Sequence, residues 1–493
     1  MTGDTERPEL ADAGRLARKL IQKAVRVARA EEQVLKRVLL DHLGPDAAIL
    51  PTIADTSPLY EQLNVQVGVE AWLAAEAGRT YELVGMTGLP DLRWNDVTIS
   101  DIIQATPDSH YSGAGIGAPI STNLPCGPDG QTRGCVSNGC YLVRDGDDRL
   151  AIMFLPSSAG NRAEVRLQVV GPTQEKIERT LREIWRLAHE RSVFRGQVLS
   201  FGAEVFGPGG HTTPLNFLRR PEVRRDQVVL PEALLTEIER QVIGVARHSR
   251  RLLASGQHLK RGVLLHGAPG TGKTHTIGYL LGRLPDVTVI VISGRALGQI
   301  SEACSVARVL APAAVVVEDV DLIAEERTAR HGEHPLLFQL LNEMEGLNSA
   351  ADVTFLLTTN RADLLEPALA ERPGRVDLAA ELPLPDAAAR RALLTLYQGN
   401  LVFDSVDLDA IIDRTEGVTA PFLKELLRRA ALLAAEADAG QEQEGLEGSA
   451  AAVIRVTGAQ LTEALDELLA ARSQLTLALL GGQTGAASAR DRH

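Results

Sequence analysis

No run of about 18 consecutive apolar residues occurs in this 493-residue chain, so no transmembrane helix is expected. The first residues, MTGDTERPELADAG, lack a basic start followed by an apolar core, which argues against a secretory leader. Cysteine is scarce. Four residues cannot make a disulfide scaffold and suit a reducing compartment, so a cytoplasmic protein without membrane contact is expected. Lysine is scarce as well, seven against 44 arginines, which with abundant alanine reflects GC-rich coding rather than chemistry. A basic excess is missing: 51 Lys and Arg against 64 Asp and Glu leave a net charge of −13, which argues against nucleic acid as a partner. What remains is a globular balance, 44% hydrophobic and 23% charged, at a length of about three domains.

Residues 12–43 read as helix, with Leu16, Leu20, Ala24 and Val27 on one face and Leu35, Val38 and Leu39 continuing the stripe. The heptad is not sustained, which favours packing on a neighbour over a coiled coil. From 44 to 147 short apolar runs are broken by Gly, Pro, Ser and Asn, as in SGAGIGAPISTNLPCGPDGQTRG, and long loops between small elements are expected. From 148 the pattern sharpens. RLAIMFLP and EVRLQVVG read as strands around the turn SSAGNRA, and TQEKIERTLREIWRLAHERS as a helix capped by Thr173, with Leu181, Ile184, Trp185 and Leu187 towards its buried side. VFRGQVLSFG is expected as a further strand of this small α/β module, which would end near Val205. A linker at 206–225, rich in Gly, Pro and Arg, follows.

Beyond it, LPEALLTEIERQVIGVARHSRRLLAS is helical, and RGVLLHG, VTVIVISG, AAVVVEDVD and VTFLLTTN are apolar strands spaced by roughly 25–36 residues, the βαβ signature of a parallel sheet covered on both faces. From Pro385 onward only helical patterns recur: AAARRALLTLYQ, DLDAIIDRT, PFLKELLRRAALLAAEA and GAQLTEALDELLAARSQL. The acidic break EADAGQEQEGLEGS reads as a solvated loop, and the tail from 476 as disordered.

One motif carries chemistry. Gly267, Ala268, Pro269, Gly270, Thr271, Gly272, Lys273 and Thr274 match GxxxxGK[ST], after an apolar strand and before a helix, the context such a loop requires. Its glycines let backbone N–H groups curl around phosphate oxygens at the positive end of a helix. Lys273 can reach the β- and γ-phosphates, and the Thr274 hydroxyl can hold Mg²⁺. Glu318 and Asp319 end another buried strand, where charge needs a purpose such as a magnesium-bound nucleotide and a polarised water. Asn360 ends a third strand at the same sheet edge and can orient the attacking water.

The run LKRGVLLHGAPGTGKT, then VVVEDVDLI, LLNEMEGL, LLTTNRADLLEPALAERPGRVD and LPLPD, in this order and spacing, resembles the AAA family of AAA+ ATPases over about residues 226–475. The resemblance implies an α/β P-loop core with a parallel sheet at 226–385 and a C-terminal helical lid at 386–475. They would follow an N-terminal helical segment at 1–43 and a mixed α/β region at 44–205 that selects a protein client. It also implies ATP and Mg²⁺ as ligands, self-association into a six-membered ring, and arginine fingers at Arg372 and Arg375 that reach the neighbour's nucleotide.

The chain departs from the usual pattern in three ways. Glu318 precedes Asp319 where the family has Asp then Glu, magnesium ligand then base. By position, Glu318 would be the metal ligand and Asp319 the base; exchanged roles, or a register shifted by one, are the alternative, since either carboxylate could bind metal through water. Only 24 residues separate Ser293 from Glu318, and GRALGQISEACSVARVLAP holds no aromatic for a pore loop. Both features resemble the branch that includes the mitochondrial chaperone of the Rieske iron–sulfur protein, and they leave residue-by-residue threading in doubt. Third, no HExxH occurs, which argues against a membrane protease. Cys126, Cys135 and Cys140 lack the paired short spacings of a zinc site and read as structural, and His110 and His211 suggest no ligand set. The expected function is an ATP-hydrolysing remodeller of protein clients. The competing expectation is an assembly scaffold that binds nucleotide and turns over very slowly.

Overall fold

A computed structural model describes residues 33–89, 97–106, 109, 111, 113–157, 164–201, 215–321, 335–346, 351–363, 376–441 and 453–470. The chain divides into two compact units, one formed by Met1–Arg195 with Glu204–Phe217 and the other by Gly196–Ala203 with Leu218–His493. The expected helix before residue 33, the tail, His110, His211, Arg372 and Arg375 lie outside the described residues.

In the first unit, the elements in chain order are α1 (Val34–Leu43), β1 (Thr52–Pro58), α2 (Gln62–Ala74), β2 (Arg79–Thr87), α3 (Ile99–Ile103), β3 (Gly115–Gly117), β4 (Ile120–Pro125), β5 (Thr132–Asp145), β6 (Asp148–Ser157), β7 (Glu164–Val170) and α4 (Gln174–Glu190). The strands form a seven-stranded antiparallel sheet in the order β1-β7-β6-β5-β2-β3, with β4 added onto β5. The long loops expected at 44–147 are therefore largely sheet. The reason is burial on both faces. Val143, Ile152 and Phe154 pack under α2 and α4, while their neighbours Leu142, Ala151 and Met153 pack under α1 and α3. A strand covered twice loses the polar–apolar alternation by which strands are recognised.

Thr173 caps α4 as expected, accepting from the Lys176 amide at 3.2 Å, and Leu181, Ile184 and Leu187 are buried. Helices α2 and α4 touch backbone to backbone at Gly68, where a Cβ would lie 2.5 Å from the Ile184 carbonyl oxygen and 2.8 Å from the Ala188 Cβ. Gly68→Ala should therefore lower the stability of this unit by about 1–3 kcal/mol through overpacking. A thermal melt with unchanged Tm would contradict that.

The second unit contains β8 (Val198–Phe201), α5 (Glu232–Glu239), α6 (Val245–Ala254), β9 (Arg261–His266), α7 (Lys273–Gly282), β10 (Thr288–Ile292), α8 (Ile300–Val309), β11 (Ala313–Val317), α9 (Pro335–Glu345), β12 (Val353–Thr359), β13 (Leu378–Glu381), α10 (Ala387–Gln398), β14 (Val402–Asp404), α11 (Leu408–Arg414), α12 (Ala420–Gln441), β15 (Arg455–Thr457) and α13 (Gly458–Ala470). Its parallel sheet runs β13-β9-β12-β11-β10-β8. This is an α/β P-loop core followed by a largely helical C-terminal part.

Two expectations are corrected here. Val198–Phe201 does not belong to the small N-terminal module, because it pairs in parallel with β10 and extends the core sheet. The end expected at 205 fails because hydrophobicity alone does not say which sheet a strand joins. The C-terminal part is not purely helical either: β14 and β15 form a short parallel pair, too brief for periodicity to reveal.

Arg220 fastens the far end of α7. Its guanidinium donates to the carbonyls of Leu281, Leu284, Gly196 and Val287 at 2.8–3.0 Å. Burial lowers its pKa, yet the carbonyls at the negative end of α7 suit a cation. Helix α7 is thus anchored at one end and carries the phosphate loop at the other.

Candidate functional site

Strand β9 ends at His266, and the chain turns through a loop that only glycine permits. Gly267, Gly270 and Gly272 adopt φ of 143°, 81° and 98°. A Cβ on Gly267 would lie 2.4 Å from the Leu382 carbonyl oxygen. Gly272 is the left-handed residue that starts α7, so the first amides of that helix face the loop. Thr271 donates to the Ala268 carbonyl at 2.9 Å and closes the turn. Lys273 is 7% exposed, and its ammonium donates to the carbonyls of Gly267 and Ala268 at 2.8 and 3.0 Å. Burial lowers its pKa, and Asp319 and Asp321 oppose that shift.

Register brings the other groups to this loop. Strand β12 lies between β9 and β11, pairing Thr359 with His266 and Leu357 with Val317. Glu318, Asp319 and Asn360 therefore emerge beside the phosphate loop. Burial and the adjacent Asp319 raise the pKa of Glu318, and the neighbouring Thr274 side chain opposes that shift. Asp319 has a left-handed φ of 52°, a conformation Asp tolerates better than most residues. Its amide donates to the Thr358 hydroxyl at 3.0 Å, and its carboxylate accepts from the Asn360 amide at 3.4 Å. The two neighbouring carboxylates thus have different neighbours, Glu318 the loop threonine and Asp319 the strand-end asparagine, to which it is hydrogen-bonded.

Two further parts of the site carry no motif of their own. Asp321, 7% exposed, accepts from the Thr359 hydroxyl at 2.9 Å and the Asn360 backbone N–H at 3.2 Å, and so holds the end of β12 in place. Its signal was a third acid in an otherwise apolar VVVEDVD. The second part is a cavity of about 510 Å³ beside Gly270 and Gly272, walled by Val228, Leu230, Leu393 and Tyr397. His275 faces it and bonds the Gln227 carbonyl at 3.0 Å. A largely apolar recess continuous with a phosphate loop fits a flat base. The Cβ that Gly270 lacks would lie 2.9 Å from the Thr419 hydroxyl oxygen, so the loop touches the C-terminal helices directly.

The residues present fit a magnesium-bound nucleotide: a glycine cradle, one buried ammonium, and a hydroxyl paired with a carboxylate. The cysteines do not enter the site. Cys135 and Cys140 lie buried in β5, and burial pushes both thiols up to about 12. No group of three or more potential metal-binding side chains occurs among the described residues. No described helix is long and apolar enough to cross a membrane.

Residues 263–384 match the model of the family described as "ATPase family associated with various cellular activities (AAA)". This segment is a domain of the AAA family. Among curated relatives, it is 33% identical over 283 residues to the ATP-dependent zinc metalloprotease FtsH 3 of Sphaerobacter thermophilus, covering 55% of this chain and 54% of that protein. It is 34% identical over 221 residues to the ATPase family gene 2 protein homolog A of Homo sapiens, covering 42% and 24%. With the 26S proteasome regulatory subunit 6B homolog of Encephalitozoon cuniculi it shares 34% identity over 192 residues, covering 36% and 49%. The chain spans about half the length, or less, of these relatives.

Proposed function

We propose that this AAA protein hydrolyses ATP as an oligomeric ring and uses the cycle to remodel a protein client. The observation that supports it most is the different surroundings of the two carboxylates, with Glu318 neighbouring Thr274 and Asp319 hydrogen-bonded to Asn360. Glu318 and Thr274 would hold Mg²⁺, which supplies charge neutralisation on the phosphates when bound. Gly267 to Gly272 present backbone amides to the phosphate chain, and Lys273 moves its ammonium from the loop carbonyls to the terminal phosphates. Asp319 takes the proton of the attacking water, and the Asn360 amide orients that water. Arg372 and Arg375 complete the site from the neighbouring copy, where their charge stabilises the transition state. The contact between Gly270 and Thr419 gives the C-terminal helices a direct view of what the loop holds, so hydrolysis would change the angle between core and lid. The relatives named as a protease and as a proteasome regulatory subunit favour a protein as the substrate.

The trans arrangement has a direct test. An Arg372→Ala, Arg375→Ala double variant and a Lys273→Ala variant should each be inactive alone. Mixed, they should recover part of the wild-type phosphate release, because some intact loops then face intact arginines. Absence of any recovery, with both variants shown to co-assemble, would refute the arginine assignment. A wild-type protein that binds ATP and assembles but releases no phosphate would instead support the scaffold.

A further inference from the structure

Strand β5 of the first unit outruns its sheet. From Gly139 to Asp145 it pairs with β6 and, from Cys140, with β2, whereas Thr132 to Asn138 meet β4 alone. The result is a two-stranded ribbon, and register says which groups line its two edges. The Cys126 amide donates to the Gln131 carbonyl at 2.8 Å, and the same register sets Leu124 opposite Arg133 and Ser121 opposite Val136. Bonded and non-bonded positions alternate in an antiparallel pair. Leu124 and Thr122 therefore bond to β5, while Ser121 and Asn123 turn their N–H and C=O outward. Val136 turns outward on the other side, and there the chain closes the edge. Its amide donates to the Gln66 side chain at 3.2 Å, and its carbonyl accepts from Gln62 at 3.4 Å, both on α2. Arg133 pairs with Glu70 of the same helix and braces the ribbon.

The β4 edge has no such closure. No described strand pairs with it, and every residue of β4 except Leu124 is exposed. Natural sheets blunt a free edge with charge, lysine above all. Here charge is withheld: from Tyr111 to Gln131 only Asp129 is charged, in a chain where 23% of residues are. Ile116 and Ile120 are 37% and 54% exposed along the same run, and Thr122 is another β-former. A braced, uncharged edge with outward main-chain donors and acceptors specifies its occupant, which is another strand.

We infer that the β4 edge binds an extended, uncharged segment of a protein client by strand addition. The inference rests on the client reading above and names the surface and chemistry that hold the client. Main-chain hydrogen bonds from Ser121 and Asn123 supply affinity with little demand on sequence, and the uncharged edge favours segments that carry no charge themselves. A second copy of β4 is the poorer partner. Paired antiparallel about Thr122, it would set Pro119 against Pro125, and neither has an N–H to give. A foreign strand can donate there.

Fluorescence anisotropy of a labelled peptide of alternating Thr and Val, titrated with the full chain in the absence of nucleotide, tests this. Wild type should bind it, and should bind the same peptide N-methylated at every second residue about tenfold more weakly or worse. Asn123→Pro should also lose about tenfold, because its N–H is gone and its ring meets the incoming strand. Asn123→Ala keeps the main chain and should bind within a few-fold of wild type. Proline at an outward edge position leaves the β4–β5 bonds intact, so the thermal melt of Asn123→Pro should match wild type. Should that variant melt early, the N-methylated peptide still decides. Wild type that ignores the peptide overturns the inference, as do equal affinities for the plain and methylated peptides. A normally melting Asn123→Pro with wild-type affinity overturns it too. If sedimentation velocity shows a wild-type oligomer that Asn123→Pro dissolves, the edge pairs with a second copy and the inference is wrong. The readout needs no ATP, so the two readings fail separately. Peptide binding lost on Asn123→Pro in a chain that releases no phosphate overturns ATP-driven remodelling and keeps strand addition. Phosphate release without peptide binding overturns strand addition alone.

Discussion

Replacing Lys273 by alanine should weaken ATP binding by roughly 100-fold or more, since hydrogen bonds to a charged group contribute about 1.5–3 kcal/mol each and this ammonium would make more than one. The size of the effect follows from burial. Lys273 is enclosed by its own loop, donates to Gly267 and Ala268, and feels the fields of Asp319 and Asp321. Once it is lost, the phosphates would keep the backbone amides and Mg²⁺ but lose the one buried ammonium that offsets the nearby acidic side chains. Titration with a fluorescent ATP analogue measures this. Affinity within a few-fold of wild type would remove the phosphate loop from the proposed site.

The next largest effect distinguishes the two carboxylates. Asp319→Asn should leave ATP bound and lower hydrolysis by about 10²–10⁴-fold, the usual worth of a general base. The amide keeps the shape of the side chain and its contact with Asn360, but it has no basic oxygen for a water proton. Glu318→Gln should act earlier, on magnesium-dependent nucleotide affinity, because Glu318 neighbours Thr274 of the phosphate loop rather than Asn360. The pair is informative only together. If Glu318→Gln traps uncleaved ATP while Asp319→Asn turns over normally, the roles are exchanged. Single-turnover phosphate release, alongside binding at saturating and limiting Mg²⁺, separates the outcomes.

The phosphate loop was legible because its chemistry is local. Three glycines, a lysine and a threonine must lie within eight residues, and the strand before and helix after them are set by short-range pattern. The four strands of the core were legible because each is a continuous apolar run of a parallel sheet. The antiparallel sheet of the first unit was not, since Leu142 and Val143 are both buried, on opposite faces, and no alternation survives to mark the strand. Nor was Val198–Phe201, whose length and composition fit either sheet.

For the site, sequence alone determined which residues could bind phosphate and that two acids and an asparagine end strands of one sheet. Only the tertiary structure decided how those groups divide. The register of β12 between β9 and β11 sets Asn360 beside Asp319, while Glu318 has Thr274 as its neighbour. Asp321 and the wall from Val228 to Tyr397 likewise join the site only through folding, because their neighbours there are distant in the chain. Local pattern encodes residue type and element, whereas the pairing of strands sets which side chain meets which.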